Sequence, residues 1–600
     1  MSHIRSHIMV CTGTGCTSSE SPKLITEFEA ALKAAGMDQE VRVVKTGCFG
    51  LCAMGPIVMV FPEGACYTRV TVEDVHEIVA EHIVKGRIVT RLLHMEGEEG
   101  ESVTSLSDTQ FYKHQLRIAL RNCGVINPES IDEYIGVDGY TALERILTEQ
   151  TPPQDIIDAL KQSGLRGRGG AGFPTGNKWQ FTYDAVSPDG TKYVCCNADE
   201  GDPGAFMDRS VLEGDPFSVI EAMTIAGYTI GSSQGYIYIR AEYPIAVKRL
   251  ELAIAQAEEY GLLGDDILGS GFSFKLELRL GAGAFVCGEE TALITSIEGH
   301  RGEPRPRPPF PAVKGLFGKP TLLNNVETYA NITWILNNGW EKFAAIGTEK
   351  SKGTKVFALG GKITNTGLVE VPMGTTLRTI IEDIGGGIPN GKKFKAAQTG
   401  GPSGGCIPAE LIDTPIDYDS LTAIGSMMGS GGLIVMDEDN CMVDIAKFFL
   451  EFCVDESCGK CVPCRIGTKR LYDLLCKITD GKGTLEDLDT IEELCHHLKD
   501  SALCALGQSA PNPVLSTLKY FRDEYVAHVV EKRCPAGVCR NLTRYIIDPG
   551  KCKGCTLCAR NCPVDAISGA VKAPHVIDQN KCIHCGLCQN NCRFDAISKS

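Results

Sequence analysis

The residues of this 600-residue chain best suited to chemistry are its 28 cysteines, and at the carboxyl end they form a repeat. The two sets, thirty positions apart at identical spacings, are Cys552, Cys555, Cys558, Cys562 and Cys582, Cys585, Cys588, Cys592. Three closely spaced thiolates and a further one are typical ligands of a four-iron cluster. The repeat therefore predicts two clusters that carry single electrons, and paired C-x2-C zinc sites are the alternative.

This repeat resembles the bacterial two-cluster ferredoxins. The resemblance implies that the fourth cysteine of each run binds the other cluster, giving the sets Cys552, Cys555, Cys558, Cys592 and Cys582, Cys585, Cys588, Cys562. Pro563 follows the first run as in that family, but Arg593 follows the second. We expect this change to alter the surroundings of one cluster without removing a ligand.

A different cysteine pattern, Cys11-x4-Cys16 and Cys48-x3-Cys52, lies at the amino end. Apolar residues at helical spacing predict a helix over residues 22–36, followed by a strand over 57–61 and a helix over 72–84. The pattern resembles the thioredoxin-like two-iron ferredoxin domain, which implies one 2Fe-2S cluster on these four thiols. A redox-active disulfide is the alternative, although neither pair has C-x-x-C spacing. Cys66 is expected to be a buried apolar residue.

Composition limits the remaining possibilities. The 59 basic and 75 acidic residues give a net charge of -16, which disfavours nucleic acid as a partner. No apolar run approaches the roughly 18 to 20 residues that cross a bilayer, so no membrane segment is expected. Thiols grouped as ligands in a long chain, with no signal segment over residues 1–10, favour the reducing cytoplasm over a secreted disulfide protein.

A glycine-dense segment over residues 164–179 is the second chemical feature. It contains G-x-G-x-x-G at Gly167, Gly169 and Gly172, but a helix is predicted over residues 155–163, where the usual dinucleotide fold requires a strand. Side-chain-free positions let backbone amides approach an anion, and Arg168 and Lys178 can supply charge to a phosphate or a flavin. A plain flexible loop is the alternative.

Three further segments, at residues 196–204, 287–291 and 323–328, follow in an order similar to the flavin-bearing NADH dehydrogenase subunit of complex I and of soluble NAD-linked hydrogenases. The resemblance implies that FMN and NAD share one cavity. It places around FMN the residues Gly167, Arg168, Gly169, Lys178, Asn197, Asp199, Glu200, Gly288, Glu289, Asn324 and Asn325. It places against NAD the residues Phe173, Phe181, Glu290 and Phe310.

Hydride transfer between stacked nicotinamide and flavin rings requires no acid–base pair, so no catalytic side chain is expected beyond FMN itself. Glu200 and Asp202 are expected to position the rings. Asp202 stands where the respiratory members have glutamate, and Arg307 where they have lysine, which leaves nucleotide preference open. Cys195 and Cys196 are expected to lie in a buried strand.

Short strands and glycine turns from about residue 355 resemble the β-grasp domain that follows the flavin domain in this family. A third four-iron site is then predicted from Cys458, Cys461, Cys464 and Cys504, in a region similar to the family's helical cluster domain. Four other cysteines lie outside that set: Cys441, Cys453, Cys476 and Cys495.

Cys534 and Cys539, with His528 upstream, suggest a structural metal in a hinge-like segment. Two thiols and an imidazole favour zinc first. Free thiols or a redox pair are the alternatives, and the remaining ligands are unassigned.

The fold class expected is multidomain α/β and α+β. The predicted order is a thioredoxin-like 2Fe-2S domain (1–90), linker and lead-in helices (91–150), a Rossmann-like FMN and NAD domain (151–350), a β-grasp domain (351–435), a four-helix 4Fe-4S domain (436–530), a hinge with a zinc site (531–545) and a two-cluster ferredoxin domain (546–600). This order resembles the flavoprotein subunit of electron-bifurcating iron-iron hydrogenases. It implies FMN, NAD, one 2Fe-2S and three 4Fe-4S clusters.

The same resemblance implies a hetero-oligomer with a hydrogenase catalytic subunit, a small two-iron ferredoxin-like subunit and ferredoxin as partners. The equivalent subunit of an NADP-reducing hydrogenase or of an NAD-linked formate dehydrogenase is one alternative. A non-catalytic electron-relay scaffold is the other.

Overall fold

The computed structural model describes residues 4–96 and 101–599. Residues 97–100, part of the acidic stretch assigned to a linker, lie outside the described residues. The chain divides into two compact units. One comprises the described residues within Met1–Gly391 together with Ala397–Gly401 and Glu410–Val435, and the other comprises Lys392–Ala396, Pro402–Ala409 and the described part of Met436–Ser600.

The first unit begins with a thioredoxin-like domain around a four-stranded sheet of order β2-β1-β3-β4. Its elements are β1 (Ser6–Cys11), α1 (Thr14–Ser18), α2 (Ser21–Ala34), β2 (Val41–Thr46), β3 (Val58–Phe61), β4 (Ala65–Tyr67) and α3 (Val72–Glu77), which continues as a π-helix over Ile78–Val84. Leu24, Phe28 and Leu32 recur at helical spacing and are buried against the sheet. Both helices predicted in this region are therefore present.

The next segment leads into the central domain of the first unit. It contains the hairpin β5 (His94–Glu96) and β6 (Glu101–Val103) and the helices α4 (Gln110–Lys113), α5 (Ile131–Ile135) and α6 (Thr141–Thr148). Ile118, Ile131 and Leu143 are buried in the same core as Val194 and Ile237 of the following sheet. Much of the segment named as linker and lead-in thus packs into the core of the domain that follows it.

The centre of that domain is a parallel sheet of order β10-β7-β8-β9. Its strands are β7 (Tyr193–Ala198), β8 (Gln234–Arg240), β9 (Lys275–Gly281) and β10 (Thr321–Asn325). Its helices are α7 (Pro153–Ser163), α8 (Thr175–Asp184), α9 (Met207–Gly214), α10 (Pro216–Ile230), α11 (Pro244–Glu259), α12 (Glu290–Ile297), α13 (Pro311–Lys314), α14 (Val326–Asn338) and α15 (Trp340–Ala344). Cys195 and Cys196 are fully buried in β7, as expected for a core strand.

A five-stranded sheet of order β12-β11-β15-β13-β14 follows. Its strands are β11 (Thr354–Gly361), β12 (Gly367–Pro372), β13 (Phe394–Thr399), β14 (Cys406–Pro408) and β15 (Gly432–Asp437). A π-helix over Thr379–Ile384 and helix α16 (Tyr418–Ala423) accompany it. The short strands predicted from about residue 355 are present.

Helices dominate the second unit. They are α17 (Met442–Asp455), α18 (Lys469–Thr479), α19 (Leu485–Ser501), α20 (Ala505–Ser509), α21 (Asn512–Tyr520) and α22 (Arg522–Val526), with π-helices over Pro463–Thr468 and Ala527–Glu531. Cys495 is buried in α19 whereas His496 and His497 are exposed. No helix in the described ranges is long and apolar enough to cross a membrane.

The carboxyl tail reproduces its sequence repeat in structure. Two short antiparallel pairs, β16 (Tyr545–Ile547) with β19 (Ile597–Lys599) and β17 (Ile567–Ser568) with β18 (Val576–Ile577), frame the helices α23 (Leu557–Arg560) and α24 (Leu587–Asn590). Its small core consists of isoleucines, Tyr545 and the ligand cysteines themselves.

Candidate active site and metal centres

The candidate site lies at the carboxyl ends of the neighbouring parallel strands β7 and β10. Asn197 pairs in register with Asn325, and Cys196 with Asn324, so two polar segments that are distant in sequence meet at one edge of the sheet. Asn197 Nδ2 donates to the carbonyl of Gly288 at 2.9 Å, which joins the 287–291 segment to the same edge. Ligands of open α/β sheets bind at such edges.

The glycine-rich loop closes against this edge. A Cβ on Gly169 would lie 3.1 Å from Asn325 Cβ, and a Cβ on Gly172, whose φ is +65°, would lie 2.6 Å from the Tyr418 ring. The Tyr418 hydroxyl also donates to the Gly167 carbonyl at 2.8 Å. Glycine is therefore required for close approach of the backbone, which excludes the plain flexible loop.

Arg168 departs from a simple flavin-contacting role. Its side chain is fully buried, and the guanidinium donates to the carbonyls of Arg166 at 2.9 Å and Lys352 at 2.6 Å. The Arg168 amide donates to Thr328 Oγ1 at 2.9 Å. Because the whole residue is buried and its charge holds the loop itself, Arg168 positions the loop.

Sequence reasoning missed that a buried acidic cluster lies next to Asn325, although two of its members, Glu200 and Glu327, stand in segments that it used. Asp208 accepts a hydrogen bond from Asn325 Nδ2 at 2.5 Å and from the Glu327 amide at 3.3 Å. Glu327 is paired with the fully buried Lys355, and Glu200 accepts from the amides of Asp208 and Arg209. Burial raises the pKa of the Asp208 carboxyl, and repulsion by Glu200 and Glu327 adds to this.

Glu289 and Asn325 each cap the start of a helix. Glu289 Oε2 accepts from the amides of Thr291 at 2.9 Å and Ala292 at 3.0 Å and so caps α12. Asn325 Oδ1 caps α14 through the Thr328 amide. Asp199 is buried, with Arg240 Nη1 3.9 Å from its Oδ1. Glu289 and Asn325 thus fix the helix starts beside the sheet edge.

Glu290 lies between two cations. Lys178 Nζ lies 3.4 Å from Glu290 Oε2, and Arg307 Nη1 lies 2.7 Å from Oε1. Burial raises the pKa of the Glu290 carboxyl, but attraction to Lys178 and Arg307 outweighs it, so the pKa falls below its ordinary value. Lys178 also donates to the Leu323 carbonyl at 3.0 Å. The carboxylate is held anionic and oriented.

Three exposed phenylalanines accompany these charged residues: Phe310 lies beside Arg307, and Phe173 lies beside Phe181, which shares α8 with Lys178. Phe173, Phe181 and Phe310 are 47%, 54% and 55% exposed, and the rings of Phe173 and Phe181 lie 6.3 Å apart. The Arg307 guanidinium carbon lies 5.8 Å from the centre of the Phe310 ring. Clustered exposed aromatic rings beside polar groups are suited to stacking on a heterocycle.

Asp202 follows Glu200 in the 196–204 segment, and its carboxylate accepts a hydrogen bond from a serine hydroxyl. Ser430 Oγ donates to Asp202 Oδ2, and a Cβ on Gly401 would lie 3.1 Å from the Asp202 carboxyl carbon. Burial raises the pKa of Asp202 to about 6, although the Ser430 hydrogen bond lowers it. The shorter aspartate is thus fitted to a serine and to a close backbone approach.

The donor set fits a flavin. Asn324 is 6% exposed, and its Nδ2 lacks an acceptor among the described residues. A buried amide without a partner is costly, so a group from outside the polypeptide is expected to accept from it. Polar flavin edges can do so, and Gly169 and Gly288 leave backbone accessible beside it.

The four amino-terminal thiols converge. Cys48 Sγ lies 3.5 Å from Cys52 Sγ, and hydrogen bonding with Cys16 and Cys48, together with burial, raises the pKa of Cys11. Four adjacent thiols fit a two-iron cluster. Cys66 is separate and fully buried, and burial raises its pKa to about 12.

The cradle of these thiols is anchored by the flavin domain. Glu213, at the end of α9, accepts from the Thr14 amide at 2.9 Å and from the Thr14 hydroxyl, between Cys11 and Cys16. Arg249 Nη2 donates to Thr12 Oγ1 at 2.6 Å. Sequence reasoning missed Glu213 and Arg249, because neither lies in a motif and Glu213 is 199 positions from Thr14.

In the helical part of the second unit, Cys464 stands in the π-helix and Cys504 caps α20, two elements that contact each other. A Cβ on Gly507 would lie 3.4 Å from Cys464 Sγ. Burial raises the pKa of the Cys464 thiol, and the nearby Cys461 and Cys458 add to this. This grouping fits the four-iron site predicted from these residues.

The tail cysteines separate into two recesses. One is lined by Cys552, Cys555, Cys558 and Cys592, and the other by Cys562, Cys582, Cys585 and Cys588. The fourth cysteine of each run therefore faces the other run's recess. Each recess fits a cluster bound by four thiolates.

A further metal-like group includes an unexpected member. Cys441, His528, Cys534 and Cys539 are all buried, and their ligand atoms lie within 4.8 Å of one another. Cys441 Sγ lies 3.7 Å from Cys539 Sγ and 3.4 Å from His528 Nε2. Tetrahedral zinc separates two thiolates by about 3.8 Å. Cys441 escaped prediction because it lies 87 positions before His528.

Residues 160–334 match the Nuo51 FMN-binding domain, 444–528 the NADH-ubiquinone oxidoreductase-F iron-sulfur binding region, and 3–82 the thioredoxin-like [2Fe-2S] ferredoxin. Residues 356–407 match the SLBB domain, and residues 545–568 and 575–598 each match the 4Fe-4S binding domain. The expected fold class is confirmed.

Among relatives, the chain is 62% identical over 470 residues to the HndC subunit of the NADP-reducing hydrogenase of Solidesulfovibrio fructosivorans, covering 78% of this chain and 95% of the relative. It is 47% identical over 418 residues to an F-type subunit of the NADH-quinone oxidoreductase of Rhizobium meliloti, covering 70% and 99%. A solved NAD+-reducing [NiFe]-hydrogenase matches with a TM-score of 0.61 at 30% identity, covering 88% of this chain and 84% of that chain.

Proposed function

The chain belongs to the family of the F-type subunits of NADH-quinone oxidoreductase and their hydrogenase counterparts, and we propose that it serves an electron-bifurcating hydrogenase. The members of this family are FMN and iron–sulfur oxidoreductase subunits of the NADH dehydrogenase type. In this proposal it exchanges hydride with NAD at FMN and passes single electrons through one 2Fe-2S and three 4Fe-4S clusters. The electron partners are ferredoxin and a hydrogenase catalytic subunit, with a small two-iron ferredoxin-like subunit, in a cytoplasmic hetero-oligomer.

The observation that supports this proposal most is the charged group centred on Glu290. Glu290 is held anionic between Lys178 and Arg307, beside Phe173, Phe181 and Phe310. Bound FMN would accept a hydride and release its two electrons singly. The phenylalanine rings stack on the nucleotide, and Glu290 accepts hydrogen bonds from its ribose hydroxyls.

The remaining candidates act by positioning. Glu200 fixes the start of α9, Asn325 and Glu289 fix α14 and α12, and the Arg168 guanidinium holds the glycine loop. Asn197 and Asp199 hold the 287–291 segment and the sheet edge. Lys178 and the Asn324 amide remain available to a bound flavin.

Glu290→Gln tests the nucleotide site. The variant keeps the size of the side chain but removes its charge, so KM for NADH is expected to rise about tenfold or more, while FMN content stays unchanged. Steady-state NADH-driven dye reduction measures the effect. Glu251→Gln is the matched control, because it makes the same change at an exposed glutamate on α11. Unchanged KM in Glu290→Gln would contradict the assignment.

The alternatives differ in nucleotide and in partner. The relative with 62% identity is named as a subunit of an NADP-reducing hydrogenase, which favours NADP as the second candidate. Comparing kcat/KM for NADH and NADPH separates the two, and the identity of the co-purifying large subunit separates hydrogenase from formate dehydrogenase. A non-catalytic relay predicts neither bound FMN nor NADH-driven dye reduction.

Bifurcation is tested in the intact complex. Hydrogen-dependent reduction of NAD is expected to require ferredoxin as a coupled partner, and ferredoxin-dependent NAD reduction is expected to change when hydrogen is supplied. Independent rates for the two acceptors would reduce the function to that of a simple diaphorase.

We propose that Cys441, His528, Cys534 and Cys539 bind one zinc ion. His528 Nδ1 lies 2.7 Å from the Glu524 carbonyl, which orients Nε2 toward the three thiols. Cys441→Ser and Cys534→Ser are each expected to lose one zinc per chain without losing iron, as measured by metal analysis. Cys495→Ser, at a buried thiol outside the group, is the control. Unchanged zinc in both ligand variants would overturn this site.

A further inference from the structure

One peptide group of the glycine-dense loop is held at both ends by side-chain hydroxyls. The Gly167 carbonyl accepts a hydrogen bond from the Tyr418 hydroxyl at 2.8 Å. Across the same peptide bond, the Arg168 amide donates to Thr328 Oγ1 at 2.9 Å. Because a peptide group is planar, the two bonds together fix its orientation. Thr328 lies in α14 beside the parallel sheet, whereas Tyr418 is the first residue of α16, 251 positions from Gly167.

The Tyr418 ring also contacts both ends of the loop. The Arg166 guanidinium carbon lies 4.3 Å from the centre of the ring, and a Cβ on Gly172 would lie 2.6 Å from a ring carbon. Arg166 Nε donates to the Gly172 carbonyl at 2.6 Å, and Arg166 Nη1 lies 3.2 Å from Asp419 Oδ2. The ring therefore packs against the start and the end of the loop, while its hydroxyl bonds to the backbone between them.

Tyr418 is itself fixed in place. It is 5% exposed, and its amide donates to Ser351 Oγ at 3.4 Å. Asp417 caps α16 by accepting a hydrogen bond from the Ser420 amide at 2.7 Å. Because the ring is buried and the start of the helix is capped, the hydroxyl meets the loop without a further loss of side-chain freedom.

The loop in turn lies on the edge of the sheet where the flavin is expected. A Cβ on Gly169 would lie 3.1 Å from Asn325 Cβ, next to Asn324, whose buried Nδ2 has no acceptor among the described residues. All residues assigned to FMN by resemblance lie between Gly167 and Asn325. The α16 residues are not among them, so α16 acts on this edge through the loop.

We propose that Tyr418 is a positioning residue for FMN, because its hydroxyl holds the Gly167–Arg168 peptide so that the loop lies against Asn325 before the flavin binds. The proposal rests on the flavin site proposed above. A loop that already has its bound conformation loses less conformational entropy on binding, so the hydroxyl raises the affinity for FMN. Without the hydroxyl, the peptide is held at its amide end only.

Tyr418→Phe in the full-length protein tests this, because it keeps the ring against Arg166 and Gly172 and removes only the hydroxyl. The flavin is removed, FMN is titrated back, and quenching of FMN fluorescence gives its Kd. Tyr228→Phe is the matched control, because the Tyr228 hydroxyl also donates to a backbone carbonyl, that of Thr151 at 3.1 Å, outside the loop.

The Kd for FMN is expected to rise about tenfold in Tyr418→Phe, which corresponds to about 1.4 kcal/mol and to the loss of about one hydrogen bond. In the flavin-free variant, residues 165–175 are expected to exchange their amide hydrogens faster than in the unsubstituted protein. At saturating FMN, the KM for NADH is expected to stay unchanged, because the filled site restores the loop.

An unchanged Kd in Tyr418→Phe overturns the proposal, and so does an equal rise in Tyr228→Phe. Unchanged exchange over residues 165–175 also overturns it, because the hydroxyl would then not order the loop. Loss of iron in Tyr418→Phe, or a raised KM for NADH at saturating FMN, would show that the hydroxyl supports the fold or the nucleotide site instead. If the unsubstituted protein binds no FMN, the flavin site itself is refuted, which is a different result from an unchanged Kd.

Discussion

The thioredoxin-like domain and the ferredoxin tail both gather cysteines for clusters, but different interactions hold the two cradles. In the first, a four-stranded sheet and two helices enclose an apolar core separate from the ligands, and Glu213 and Arg249 fasten the Cys11–Cys16 loop. In the tail, two-stranded sheets surround a core of which Cys558 and Cys588 are themselves members.

The difference shows how chain length limits a cluster site. A segment of about fifty residues buries too little apolar surface to fold securely by itself, and metal binding then contributes to folding directly. The amino-terminal domain is longer and is also packed against a large neighbour. We infer that its cradle persists without a cluster, whereas the tail depends on its clusters for structure.

Removing iron is expected to produce the largest difference in hydrogen-exchange protection between the two regions. After chelation under reducing conditions, amides of residues 546–600 are expected to lose hydrogen-exchange protection almost completely, while the β1–β4 sheet keeps most of its protection. Hydrogen exchange read by mass spectrometry measures both regions in one sample. Equal loss in the two regions would show that both cradles depend on iron.

Glu213→Gln should weaken the fastening of the first cradle. Glu213 is 1% exposed and accepts twice from Thr14, so the substitution is expected to cost about 1 to 3 kcal/mol locally. Faster exchange confined to the Thr12–Cys16 loop measures this effect, because the domain core is unaffected.

Glu40→Gln is the control for this variant, since Glu40 pairs with Arg5 at the surface and is 51% exposed. Its expected effect on the free energy of unfolding is below about 1 kcal/mol. If hydrogen exchange in the Thr12–Cys16 loop has the same rate in both variants, Glu213 does not anchor the loop.

Asp202→Asn tests polar burial elsewhere in the first unit. The folded pKa of Asp202 is about 6, above its ordinary value of 3.8, so the folded state binds the proton more tightly. Unfolding free energy therefore falls as pH rises from about 4 to about 6, by up to about 3 kcal/mol, and stays lower above that.

The asparagine variant lacks this loss. It is expected to unfold at higher denaturant concentration than the unsubstituted protein at pH 8, and the difference should shrink at pH 5. Chemical denaturation at the two pH values measures it. A difference that is independent of pH would show that Asp202 does not titrate in this window.

Much of the fold could be predicted because its signals are local. Leu24, Phe28 and Leu32 at helical spacing mark α2, and strand-like runs mark β3, β11 and β12. The glycine loop was also found from sequence, but the buried side chain of Arg168 was not, since charged residues are seldom fully buried. Nothing local in the sequence marks Asp208 or Lys355 as members of a buried cluster.

The sequence by itself determined which thiols lie together within a turn, because short-range backbone geometry alone brings together cysteines that have two to four residues between them. It also determined the repeat, and with it the two equivalent halves of the tail. Only the tertiary structure decided that Cys441 joins His528 across 87 positions, that Glu213 meets Thr14 across 199, and that Tyr418 meets Gly167 across 251. Such meetings depend on how cores pack and strands order, which no short stretch of residues encodes.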